Sequence, residues 1–155
     1  MIHRKSMEQI EHIRICGQIV FAVQQKLEAL IKPGITTNHL DSVAETAILE
    51  TGARPAFKGY HGFPASICAS INASIVHGFP TDVPLVEGDI VSIDVGVELD
   101  GYFGDGAFTI GVGSISSDAS NLIAVTHRCL ELGVEQMHVD GRIGDISHAI
   151  QTHAE

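Results

Sequence analysis

Residues 90–112 constrain the fold more than any other stretch of the chain. Val91, Ile93, Val95, Val97 and Leu99 recur at every second position, which on an extended backbone puts all five on one face. Asp100-Gly101 follows, a pair suited to the left-handed conformations of a two-residue hairpin loop, and Tyr102 to Val112 then reads as the return strand. With that loop length Leu99 faces Tyr102, Asp105 falls opposite Gly96, and Asp94 falls opposite Ala107. Alternation sets Asp94, Gly96 and Asp105 together on the face away from the apolar stripe. The two acids form a diagonal pair with backbones roughly 7–8 Å apart. Gly96, lacking a side chain, is expected to leave room between them for a cation.

Aspartate is depleted in strands, so two on one face need an explanation. Either both are solvated residues on an exposed sheet face, or their carboxylates converge. Converging carboxylates repel and require a proton, a base or a metal ion between them. Oxygen ligands alone suit Mg, Mn, Ca or Fe-type ions, and an added histidine would favour Zn, Co, Mn or Fe.

The flanking sequence is helical. Ser6 and Gln9 match a capping box, and Ile10, Ile13, Val20, Leu27 and Leu30 recur at helical spacing, predicting a helix from about Ser6 to Ile31 that Pro33-Gly34 ends. Thr36 or Thr37 caps a second helix with the stripe Leu40, Val43, Ala44, Ala47 and Ile48. Ser66 to Ile71 alternates as a half-buried strand. Helical spacing returns from Leu122 to Met137, and a last helix begins near Ile143. Lys32-Pro33-Gly34 between the first two helices is echoed by Val139-Asp140-Gly141 between the last two, as though a helix–turn–helix and hairpin unit began again.

Composition narrows the partners. With 9 basic and 19 acidic residues the net charge is −10, which argues against nucleic acid or an anionic membrane as the main partner. Cys16, Cys68 and Cys129 are odd in number and form no CxxC, so a reducing, cytoplasmic setting is expected. No signal peptide or membrane-spanning segment is visible. Nor does the chain carry a GxSxG elbow, a Walker A loop or an HExxH helix. Of nine histidines, His61 and His77 stand apart. Each sits beside glycine in a loop, in Gly59-Tyr60-His61-Gly62-Phe63-Pro64 and Val76-His77-Gly78-Phe79-Pro80, where a side chain can meet a substrate or shuttle a proton.

These segments are similar to a known family. Gly59 to Cys68, then Ser70-Ile71-Asn72 and Val76 to Pro80, resemble the substrate-loop block of type I methionine aminopeptidases (peptidase family M24). Glu87 to Gly96, followed by Asp100 to Asp105, resembles that family's first metal-binding hairpin, and Lys32-Pro33-Gly34 with Leu40-Asp41 also fits. The resemblance implies an α/β pita-bread (creatinase/aminopeptidase) fold, of which residues 1–155 would be a single, truncated domain: the first pseudo-symmetric half and the opening helices of the second. It implies two divalent metal ions, drawn from Co, Mn, Fe, Zn or Ni, that activate water to remove the initiator methionine from peptides or nascent proteins. Asp94 would bind the first metal and Asp105 would bridge both. His77 would contact the substrate near the scissile amide and His61 would line the site. Tyr60, Phe63 and Cys68 would form the methionine pocket, with Phe57 at its edge, and an apolar wall suits a flexible thioether.

The family's remaining ligands, a histidine and two glutamates, match nothing after Asp105, and Ala73 stands where the family commonly has glutamate. A non-catalytic, peptide- or protein-binding module of the same fold is therefore the alternative. A proline dipeptidase or creatine-cleaving enzyme fits less well, because the Gly59–Phe63 loop is of the methionine type. Half of a pseudo-symmetric sheet is also expected to leave an uncovered edge and an exposed apolar face on Val91–Leu99, and hence to self-associate.

Overall fold

A computed structural model describes residues 3–155. The chain divides into two compact units, one ending at Ser114 and the other spanning Ile115–Glu155. The first unit contains helices α1 (Met7–Glu28) and α2 (Thr37–Leu49), strands β1 (Arg54–Pro55), β2 (Ile67–Ile71), β3 (Ile90–Leu99) and β4 (Tyr102–Gly111), and a short 3-10 turn at Tyr60–Gly62. The second contains α3 (Ser117–Glu135) and α4 (Ile143–Ala154).

The caps form as expected. Ser6 Oγ accepts from the Gln9 N–H while the Gln9 side chain accepts from the Ser6 N–H, satisfying two donors that a helix start otherwise leaves free. Thr36 caps α2 by accepting from His39 N–H. The inward stripe of α1 is Cys16, Val20, Val23 and Leu27; Ile10 and Ile13, assigned to it by spacing, are exposed. They lie in the first turns of α1, ahead of the Cys16–Gly104 contact where the helix meets the sheet. α3 begins at Ser117 rather than Leu122, because Ser116 caps it through Ala119 N–H and polar residues can fill an exposed first turn.

β3 is the central strand. β4 pairs antiparallel along its full length, with Leu99 opposite Tyr102, Gly96 opposite Asp105 and Asp94 opposite Ala107. β2 and then β1 pair with its other edge, Cys68 opposite Asp94 and Pro55 opposite Val97. Among the described residues β4 pairs with β3 alone, so its outer edge is free. Asp100 and Gly101 both take positive φ (53° and 82°), and Glu98 holds the turn by accepting from Gly101 N–H while pairing with Arg54.

The Val91–Leu99 face is not exposed. Val91, Ile93, Val95 and Val97 are fully buried, in one core with Val20, Leu27, Leu40 and Ile48 of α1 and α2. At about 1.5–3 kcal/mol per buried aliphatic side chain, this face is the main adhesive of the unit. α1 comes close enough to cover it because β4 has glycine beneath the helix: a Cβ on Gly104 would sit 2.6–2.9 Å from backbone atoms of Cys16 and Gly17. In the second unit α3 and α4 pack through Gly133, within contact distance of Ile146 and Ile150.

Candidate metal and peptide site

With one face of the sheet committed to the core, the other is left to line a cavity. Along β3 the side chains on that face are Ser92, Asp94, Gly96 and Glu98. Cys68 on β2 and Asp105 on β4 flank Asp94. Two loops rise around them. The first, Phe57 to Phe63, turns through Gly59 (φ 85°) and His61 (φ 46°). The second carries His77, also left-handed (φ 59°), and is pinned to the edge of β2 at Gly78, whose N–H donates to Ser70 Oγ and whose carbonyl accepts from Ala69 N–H. A Cβ at Gly78 would collide with the Ala69 carbonyl. Left-handed backbone at two non-glycine residues beside one cavity persists only when the surroundings hold it.

The loops and sheet enclose a cavity of about 490 Å³ lined by Phe57, Tyr60, His61, Phe63, Cys68, His77, Asp94 and Asp105, with Gly62 and Phe79. All eight residues singled out from the sequence thus open onto one space. Phe79 was missed as a wall residue. The parallel between His61-Gly62-Phe63-Pro64 and His77-Gly78-Phe79-Pro80 could have indicated it. The rings interlock edge to face, Phe79 on Phe63 with centroids 5.3 Å apart and Phe63 on Phe57 at 6.4 Å, arrangements that add rigidity beyond area burial.

One expectation fails here. Gly96 does not leave room for a cation: the ring of Phe57 lies over it, and a Cβ there would be 2.7–2.9 Å from the Phe57 Cζ and Cδ1 atoms. The missing side chain serves the pocket wall.

The electrostatics are those of crowded acids. Burial, and next the charge of Asp105, push the Asp94 carboxyl up to about 6, against a smaller opposing effect of His77. Asp94 Oδ1 is buried without a hydrogen-bond partner, a position a cation would satisfy. Burial and the two aspartates likewise push the Cys68 thiol up to about 11, so it stays protonated and packs as a small soft apolar group. The donors fit a divalent cation of oxygen-ligand preference, yet they are few. Among the described residues no group of three or more His, Cys, Asp or Glu side chains is placed to hold a metal.

The sequence pattern of metallopeptidase family M24 matches residues 11–155. The chain belongs to metallopeptidase family M24. Within M24 it is similar to a methionine aminopeptidase of Clostridium perfringens and to methionine aminopeptidase 1 of Bacillus subtilis, 46% identical to each over the whole chain. Its fold superimposes on the methionine aminopeptidase of Rickettsia prowazekii with a TM-score of 0.96 and 38% identity, covering 99% of this chain and 62% of that one. A prolidase from Pyrococcus furiosus, 21% identical, shares the fold at a TM-score of 0.85 over 96% of this chain and 43% of its own. The α/β pita-bread architecture is therefore that of this M24 chain. It spans 62% of the length of its first curated relatives. No helix among the described residues is long and apolar enough to cross a membrane.

Proposed function

We propose that this M24 chain contributes to divalent-metal-dependent removal of the N-terminal methionine from peptides and nascent proteins, in the cytoplasm. The observation that carries the proposal is the orphaned, buried Asp94 oxygen beside Asp105, at the floor of a cavity walled by Tyr60, Phe63, Phe57 and Phe79. Asp94 and Asp105 would hold the divalent metal. When bound, the metal supplies Lewis acidity and a water acidified toward neutrality. The chain's own residues do the rest. Phe57, Tyr60 and Phe63 enclose the methionine side chain. The neutral Cys68 thiol offers a soft contact to its thioether. His77, exposed on its pinned loop, is available to donate a hydrogen bond at the scissile amide. His61 lines the same wall, next to Tyr60, their ring centroids 4.3 Å apart.

A second reading is favoured by the scarcity of ligands: a module that holds a methionine-headed peptide without cleaving it. Calorimetry with Mn²⁺ or Co²⁺ and release of methionine from a Met-Ala-Ser peptide separate the two. Metal-dependent release that is lost in Asp105→Asn supports the enzyme. Binding of the peptide with no release supports the module. If the unaltered chain binds neither metal nor peptide, both fail.

A further inference from the structure

α2 reaches both walls of the cavity with side chains one helical turn apart. Thr37, fully buried, makes a reciprocal pair with the backbone of Thr81: its Oγ1 accepts from Thr81 N–H at 2.8 Å and donates to Thr81 C=O at 3.3 Å. That residue stands two positions after Phe79. Asn38 reinforces the grip, its N–H donating to Thr81 C=O at 3.0 Å and its side-chain amide to Asp82 Oδ1 at 2.8 Å. Asp41 sits at the next position on the same helix face. Its Oδ1 accepts from both Ser66 N–H and Ile67 N–H, at 2.8 and 3.0 Å, immediately before Cys68 and three residues after Phe63. Thr37 thus holds the segment behind Phe79, and Asp41 the segment behind Phe63 and Cys68. The two segments meet across the cavity where the Phe63 and Phe79 rings touch.

We propose that Thr37 and Asp41 are positioning residues of this site: one face of α2 clasps both walls and sets the gap between Phe63 and Phe79, and with it the width of the side-chain pocket. The selectivity part of the proposal rests on the methionine-pocket reading above; the geometric part does not. The chemistry favours a clasp over ordinary packing. A buried hydroxyl and a half-buried carboxylate are expensive to bury, and both bond backbone 25 to 44 residues away in sequence, at the Thr81 loop and at the start of β2. Both Asp41 bonds go to a single oxygen, so an asparagine carbonyl can accept the same pair.

Two-dimensional NMR on the full chain tests the geometry without any ligand. The ring-to-ring cross-peak between Phe63 and Phe79 is expected in the unaltered chain, lost in Thr37→Val and Asp41→Ala, and restored in Thr37→Ser and Asp41→Asn, while the amide shifts of Val91, Ile93 and Val95 stay in place. Persistence of the cross-peak in both Thr37→Val and Asp41→Ala overturns the clasp. If Thr37→Val does not fold, hydrogen exchange in the unaltered chain decides: protection of the Thr81 amide equal to that of Ala69 supports the clasp, and fast exchange at Thr81 overturns it. The selectivity is read by calorimetry as the preference for Met-Ala-Ser over Leu-Ala-Ser, expected to fall about tenfold in Thr37→Val. An unaltered chain with the cross-peak but without that preference removes the methionine pocket and leaves the clasp standing.

Discussion

The two faces of β3 differ in what they ask of their residues. On one, Val91, Ile93, Val95 and Val97 are fully buried and interchangeable in kind, their requirement being apolar volume against α1 and α2. On the other, Asp94, Gly96 and Glu98 each have a different neighbour: Asp105 across the strand, the Phe57 ring, and Arg54 with the hairpin turn. A ten-residue strand therefore carries the core and the candidate site on opposite sides, one residue apart. The difference teaches that a charge crowded against another charge is tolerable only where a separate face supplies the folding energy.

Four substitutions probe this division. Ile93→Ala should cost about 2–5 kcal/mol of stability by denaturant titration, the range for a cavity in a packed core, while metal affinity measured on the folded fraction stays unchanged. A loss of affinity with little loss of stability would erase the distinction between the faces. Asp105→Asn should do the reverse. Calorimetric Mn²⁺ binding should weaken at least a hundredfold, about 2.7 kcal/mol, with stability held or raised because a repulsive charge is gone; unaltered Mn²⁺ binding would remove Asp105 from the metal site.

Gly96→Ala should be costlier than its methyl group implies. The Phe57 ring must move, and overpacking of this kind costs about 1–3 kcal/mol. The displaced ring should also narrow the cavity, which a crystal structure of the variant would show; an unmoved Phe57 would contradict the close contact. The smallest effect belongs to Glu98. Its hydrogen bond with Arg54, and then the Gly101 N–H, hold its carboxyl below the ordinary 4.5. A carboxylate with a depressed pKa contributes stability above its unfolded value and loses it as pH falls through the folded value. Stability of the unaltered chain should therefore decline below about pH 4.5 more steeply than that of Glu98→Gln, and parallel acid-melting curves would show that the pairing contributes nothing.

Much of this was legible in the sequence because the relevant signals are local. The β3–β4 register follows from period-two alternation and a two-residue loop, and every predicted pair between them forms. The capping box at Ser6 and the Thr36 cap are three-residue patterns. The pairing of Asp94 with Asp105 follows from register alone. What was not legible depends on distant neighbours. Ile10 and Ile13 have the right spacing for the core of α1, yet only the approach of that helix to Gly104 and Gly106 decides which turns are covered. Gly96 reads as empty space until the Phe57 ring is folded over it. Half a sheet suggests an exposed apolar face until α1 and α2 are seen lying on it. Phe79 becomes a wall only when its loop is pinned to β2.

By itself, the sequence determined the hairpin, its register, the acids it pairs, and through its motifs the M24 family. These rest on alternation and turn chemistry, which act within a few residues. The tertiary structure decided which glycine makes room for a ring and which for a helix. It decided which face of the hairpin is buried, and how α2 ties the two walls of the cavity together. Those are questions of close packing between segments 25 to 88 residues apart, where volume and hydrogen-bond partners are settled only once the chain has folded.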